Sequence, residues 1–325
     1  MSIARGYKRI LGGATEATLG TKATSGWKYW EFDTEGLTKN KPEFLDTGIR
    51  GVPGYVRRLQ AEIDISGSVS GSVYPEGLFP VLLLHGIGSV SSTQQGGTSA
   101  YKHDFAIVDD TVYGDTKGLT LRIERDVGTV IDKYGLVISS WTISSAKGGV
   151  AKATFNFIGI NESPGSTPTA TFPTVNPFLH HQATFSLAGT TIPISDWNFT
   201  MDNKFMAEIY DGQTRKKMPR SGRIDVTGTI TKPYVENSDY ADVYEKFING
   251  TPASLTITFT GATIEGEYAY TLYFNFPNIY FNGPPDFASG GIENPTLPIP
   301  FRAYRDTSGN KEFTCYIIST ETSIS

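Results

Sequence analysis

Cysteine is almost missing from this chain. Cys315 stands alone among 325 residues, which excludes an intrachain disulfide framework and any zinc site built on cysteine pairs. Histidine is scarce as well: His85, His103, His180 and His181 make up the full set. The adjacent pair cannot serve one metal from a single strand face, because neighbours there point to opposite sides, and no H-x-x-x-H or carboxylate cluster accompanies them. No stretch approaches the ~18 apolar residues of a membrane span. The first thirty residues hold no apolar run of signal-peptide length, so folding in a reducing cytoplasm is the default expectation. An excess of basic charge is absent too. Net charge is −5, with 17 Lys and Arg against 16 Asp and Glu in residues 1–160, and 11 against 17 in 161–325. A protein built to grip phosphates carries a basic field.

Motifs for catalysis fail in turn. The run "FPVLLLHGIGS" (79–89) imitates the strand and oxyanion turn of an α/β-hydrolase, but that reading needs a G-x-S-x-G elbow further along. The nearest match, "GGTSAY" (96–101), lacks the final glycine. "GGATEATLGTK" (12–22) is glycine-rich but has no G-K-[ST] at phosphate-loop spacing and no strand before it. The basic runs "VRR" (56–58) and "TRKK" (214–217) are short and balanced by acids. Sequons at Asn161, Asn198 and Asn249 carry little weight without a secretion signal.

What is plentiful points to β structure. Aromatics reach 12% and glycine 35 residues, a mixture suited to pleated, half-buried surfaces joined by tight turns. Residues 1–26 show no periodicity and read as an extended arm. "WKYWEFDT" (27–34) alternates as a strand through Trp30 and Phe32, and residues 35–58 read as a long loop or protruding hairpin. "AEIDISGSVSG" (61–71) is a strand, and 75–88 a helix entered at Pro75-Glu76 and stopped by Gly86 or Gly88. Leu78, Val81, Leu82 and His85 would share its buried face. Strands follow at 102–110, 118–127, 134–144 and 150–160, with Thr120, Arg122 and Glu124 on a wet face. Residues 161–177, rich in Pro, Ser and Thr, are the best domain boundary.

The second half repeats the first. "GRIDVTGTITK" (222–232) lies 161 positions beyond "AEIDISGSVSG" and matches it at Ile63/Ile224, Asp64/Asp225 and Gly67/Gly228. Its surroundings match too. Trp197 and Phe199 take the spacing of Trp30 and Phe32, and the basic loop 210–221 takes the place of 35–58. A helix at 237–251 takes that of 75–88, with Asn237 or Ser238 as N-cap and Tyr240, Val243, Tyr244 and Phe247 as its apolar stripe. Strands at 254–261, 268–281, 297–306 and 312–320 complete the copy. Two tandem units are therefore expected, 27–160 and 178–325, after the arm 1–26 and joined by the linker 161–177. Alternation puts Ile63, Ile65, Ile224 and Val226 into the two cores and Asp64 and Asp225 on the opposite face.

"ATLGTKATSGW" leading into a strand and long loop, the repeated Ile-Asp strand with its helix, "GLTLRIERDVG…YGLVISSWTIS" and "FSLAGTTIPISDWNFTMDN…YTLYFNFP…PFRAYRD" together resemble the tail tube (major tail) proteins of long-tailed bacteriophages. The resemblance spans about 12–320. It implies a mainly β fold, a β-sandwich or part-open barrel in each unit flanked by one short helix. It also implies a structural protein of the virion without catalytic, cofactor or metal site, assembled in the host cytoplasm into stacked rings through which DNA passes. Two units per chain favour a trimeric ring with pseudo-sixfold symmetry over a hexamer. Partners would be further copies of the chain and other tail proteins (tape measure, terminator, distal tail protein), with no membrane. Lys39, Lys41, Arg50, Arg57 and Arg58 in one loop, and Arg215, Lys216, Lys217 and Arg220 in the other, are the candidate ring-stacking residues. Asp64 and Asp225 are the candidate lumen-facing acids. A tail hub, terminator or capsid decoration protein is the alternative. A carbohydrate-binding β-sandwich, with Trp27/Tyr29/Trp30 or Tyr268/Tyr270/Tyr273 lining a groove, is a weaker one.

Overall fold

A computed structural model describes residues 5–325 apart from 46–47, 49–50, 52, 54, 56, 110–111, 237, 284–295, 306–308 and 310. The N-terminal half runs β1 (Ile10–Thr15), β2 (Lys28–Trp30), β3 (Phe32–Glu35), β4 (Thr38–Asn40), β5 (Glu43–Leu45), β6 (Arg58–Gln60), β7 (Asp64–Ser72) and α1 (Leu78–Ile87). It continues through β8 (Gly88–Gln94), β9 (Tyr101–Ile107), β10 (Leu119–Glu124), β11 (Ile131–Ala146), β12 (Lys152–Gly159) and β13 (Asn161–Pro164). The C-terminal half runs β14 (Ala183–Leu187), β15 (Thr190–Ile192), β16 (Asp196–Asp202), β17 (Ile209–Asp211), β18 (Thr214–Lys217) and β19 (Asp225–Lys232). A π-turn (Tyr240–Glu245) passes into α2 (Lys246–Asn249), before β20 (Ala253–Glu265), β21 (Tyr268–Phe281), β22 (Leu297–Ala303) and β23 (Thr314–Ser319).

One continuous antiparallel layer crosses both halves in the order β3/β4, β7, β12, β11, β16, β19, β22, β21. Each half folds a second layer onto it: β2-β1-β10-β11-β13 in the first, and β15-β14-β20-β21-β23 in the second. A bulge between Ile138 and Ser140 re-aims β11, letting it serve both layers of its half. Rings from the two layers meet in the core, as Phe199 does with Phe274 (4.9 Å) and Phe276 (5.2 Å). Each fully buried side chain of this size contributes about 1.5–3 kcal/mol.

The repeated strands carry the same burial alternation over their first eight positions. Ile65, Val69, Val226 and Ile230 are wholly buried. Gly67 lies opposite Phe157 and Gly228 opposite Phe301. Both glycines are required by close approach. A Cβ on Gly67 would stand 2.3 Å from the Gly36 carbonyl, and one on Gly228 2.5 Å from that of Asn198. The Trp-x-Phe equivalence, by contrast, holds in strand order but not in register. Phe199 faces Gly228, whereas Gly67 is approached by Gly36 and Leu37 while Phe32 faces Gly71.

The N-terminal segment is no arm. β1 lies between β2 and β10 with Leu11 and Ala14 buried, in the place that β14 takes in the second half. The residues after it cover the face of β10 expected to be wet. Buried Glu16 accepts hydrogen bonds from Gly20 N (2.8 Å), Gly135 N (2.7 Å) and Thr120 Oγ1 (2.8 Å), and burial pushes its carboxyl up from the usual range. Arg122 forks onto buried Asp132 (2.7 and 2.8 Å) beneath the Trp27 ring. The first four residues of the expected linker form β13.

The helices differ in surroundings. Every residue of α1 is buried, so it is apolar all round and lies in the core instead of presenting the single face expected. Gly88 ends it. The β8-β9 hairpin follows α1 and has no counterpart in the second half, where α2 leads directly to β20. Without such a cover Tyr240 and Ile248 stay exposed, and of the expected stripe only Val243 is buried. Asn237 lies outside the described residues.

Candidate functional site

The outer face of the continuous layer is a hydroxyl surface. Thr34, Ser70, Thr154, Thr142, Thr200 and Thr227 stand opposite one another across six strands. Neighbouring pairs hydrogen-bond, Thr34 with Ser70 and Thr142 with Thr200, each at 2.7 Å. The adjoining row, Ser68, Asn156, Ser140, Asp202 and Asp225, is polar and ends in two acids. Most charges on this face are paired, Lys152 with Asp33 (2.7 Å), Lys204 with Asp202, and Arg302 with Asp225 (2.9 Å), while exposed Asp196 accepts from the Ser195 and Thr231 hydroxyls. The signal was present in "SGSVSGS" and "VTGTIT", where hydroxyls alternate with core positions. The reading of those strands attended to their acids and passed over the hydroxyls.

The two halves meet at two seams. Seven residue pairs, from Ser140↔Asp202 to Ala146↔Asp196, join β11 to β16. Behind them lies a buried relay in which Trp197 Nε1 donates to Ser145 Oγ (2.6 Å). Ser145 Oγ meets His180 Nδ1 (2.8 Å), and His180 Nε2 meets the Ile194 carbonyl (3.0 Å). An indole only donates and a carbonyl only accepts, so in the neutral imidazole Nε2 carries the proton and Ser145 donates to Nδ1. The second seam pairs β9 with β23. There His103 sits between Ser92 Oγ (2.8 Å) and Ser319 Oγ (3.2 Å), its pKa lowered by burial.

Both predicted basic loops are hairpins that stand off the layer, β5-β6 and β17-β18. Their basic residues have unlike fates. Arg215 is buried and bridges the halves. It donates to Ala207 O (2.7 Å), Gly159 O (2.9 Å) and Ile65 O (3.3 Å) and pairs with Asp64. Asp64 is thus a partner within the chain, as Asp225 is for Arg302. Arg220 is half-buried on Asn203 and Val108 O, and burial lowers its pKa. Lys39 reaches Asn161 Oδ1 (2.7 Å). Lys41, Arg57, Lys216 and Lys217 are exposed. Arg50 and the Arg58 side chain lie outside the described residues.

A family model described as phage tail tube protein matches residues 6–303. The chain belongs to that family. A comparison with curated proteins finds no match. This tube protein is therefore a structural component of a phage tail. Among its described helices none is long and apolar enough to cross a membrane.

Proposed function

We propose that the tube protein assembles as a trimeric ring of six tube units and that stacked rings form the channel through which DNA leaves the virion. Residues 10–164 and 183–319 are the two units, with the segment between them as the connection. The observation that carries this reading is the β11-β16 seam, where the trailing edge of one unit meets the leading edge of the next. By the repeat, β3/β4 of one chain occupies the place of β16 against the C-terminal end of β21 in its neighbour. Three such contacts close a ring and leave no open edge in the layer.

Four strands of the layer per unit give about 24 around the ring. At ~4.8 Å per strand the circumference is roughly 115 Å and the backbone diameter about 37 Å. The hydroxyl face lines this bore. Its lysines and arginine each sit on an aspartate, so it presents no basic array to hold phosphates. Asp64 and Asp225 border it. Exposed Lys41, Arg57, Lys216 and Lys217 are the basic residues available for stacking. Tape measure, terminator and distal tail proteins are its other partners in the tail, with assembly in the host cytoplasm.

Negative-stain microscopy of purified protein at rising concentration tests the proposal, with rings or tubes expected. Mass photometry should give a ring of three times the 35.4 kDa chain mass. A ring of six chains rejects the count, and a persistent monomer rejects the assembly.

A further inference from the structure

Inside the chain, the β17-β18 hairpin of the second unit is seated on the first. Gln213 O accepts from Ile63 N (2.7 Å), Arg215 holds Asp64 and the Ile65 and Gly159 carbonyls, and buried Met218 packs with Val137 and Ile160. Strand pairing fixes the counterparts of this seat on the second unit. Ile65↔Gly159 corresponds to Val226↔Ala303, so Ile63, Asp64 and Ile160 correspond to Ile224, Asp225 and Tyr304.

Among the described residues nothing fills that second seat. Ile224, Asp225, Arg302, Ala303, Tyr304 and Arg305 line an open cleft of ≈ 650 Å³. Ile160 is 8% exposed beneath Met218, whereas Tyr304 is 43% exposed. Among the described residues no acceptor meets Ile224 N–H as Gln213 O meets Ile63 N–H. Meanwhile the first unit's own hairpin, β5-β6, makes no ladder with the layer among the described residues and exposes Phe44 at 67% and Leu59 at 51%.

We infer that the β5-β6 hairpin of one chain docks in the Ile224/Asp225/Tyr304 cleft of the neighbouring chain in the same ring, as β17-β18 docks within the chain. The occupant is a second copy, because among the described residues the hairpin with the matching place in the repeat is β5-β6, which exposes Phe44 and Leu59. The cleft is walled in part by Lys204, Arg220, Arg223 and Glu312 and Asp225 already has Arg302 as partner, so the incoming hairpin needs no arginine there and lays Phe44 and Leu59 over Ile224, Ala303 and Tyr304. The direction of this contact agrees with that of the strand seam, since in both the following unit reaches back onto the preceding one. The inference rests on the ring reading.

Two experiments on the full chain test it separately from that reading. In a Leu59→Cys/Tyr304→Cys variant, a short bismaleimide applied to assembled protein should produce covalent dimers and trimers and stop there. Either single variant should remain uncrosslinked. Cys315 is buried and does not compete. Rings without crosslinks overturn the inference, and so does a ladder running beyond three chains, which would place the hairpin on another ring. A Phe44→Ser/Leu59→Ser variant should melt with the parent, because both side chains are exposed in the subunit. It should need about tenfold more protein to form rings. Rings at unchanged concentration, or rings that form but fail to stack, overturn the inference. A parent chain that never forms rings overturns the ring reading itself, and the docking with it.

Discussion

Replacing Arg215 by alanine probes the joint between the two halves. Its guanidinium donates three hydrogen bonds to carbonyls, at 2.7, 2.9 and 3.3 Å, and pairs with Asp64. A hydrogen bond from a charged donor contributes ~1.5–3 kcal/mol, and the three are not additive. Asp64 is 30% exposed, so hydration replaces part of the ion pair and that contribution is discounted. Removing a buried charge from such a network costs about 3–5 kcal/mol. Unfolding entropy near 2.1 cal/mol/K per residue gives about 0.7 kcal/mol/K for a chain of this length, so the expected fall in Tm is roughly 4–7 °C if the halves unfold together. Circular dichroism would follow the melt. Alkylation of Cys315, whose thiol burial pushes well up, would report opening independently. Lys216→Ala, on the same hairpin but exposed, should shift Tm by no more than ~1 °C. An Arg215→Ala protein melting within a degree of its parent would refute the reasoning, because the hairpin would then be seated by something other than this arginine.

Gly67→Ala and Gly228→Ala should each cost about 3 kcal/mol or more, since the added Cβ strikes the Gly36 or the Asn198 carbonyl and the layer must shift. Denaturant midpoints measure this against Gly148→Ala, which meets nothing within 4 Å and should lose only ~1–2 kcal/mol to its left-handed backbone. His85 is buried between Thr15 Oγ1 (2.9 Å) and the Tyr113 ring, and burial pushes its pKa down to about 3. The unfolded chain takes up this proton below pH ~6.5 and the folded chain does not. Stability should therefore fall by about 2–3 kcal/mol between pH 6.5 and 4.5, with His103 adding in the same direction, and His85→Gln should flatten the slope. A stability curve equally steep in His85→Gln would count against that assignment. Thr200→Lys, on the hydroxyl face, should leave ring formation intact and make tubes retain DNA in a salt-dependent manner, read by sedimentation with labelled duplex. Tubes that stay free of DNA would mean this face does not line the bore.

Several features were legible before any coordinates. Alternation alone separated Ile65 and Val226 from Asp64 and Asp225, and the burial of the two strands agrees with it. The glycine at the end of 75–88, the strand at 268–281 and the hairpin character of 35–58 were equally local signals, held by residues within a turn or two of one another. Polar residues misled where distant chain covers them. Thr120 and Arg122 look wet until residues 16–27, about a hundred positions earlier, fold over them. Arg215 looks like a surface charge until Asp64, 151 positions away, comes beside it. The Trp-x-Phe match kept the order of strands and lost the register: with Glu35 opposite Val69 and Thr38 opposite Ser66, Leu37 holds the place against Gly67 that Phe199 holds against Gly228.

The sequence by itself determined that the chain folds as paired copies of one β unit, since period-two alternation and a repeated glycine each act within a single strand. Tertiary structure alone decided which edges of those units meet, which acids are neutralised, and which of two similar hairpins finds its seat inside the chain. Strand pairing is set by residues far apart in sequence, whose hydrogen bonds form only after the loops between them have closed. No stretch of the chain records its partner locally.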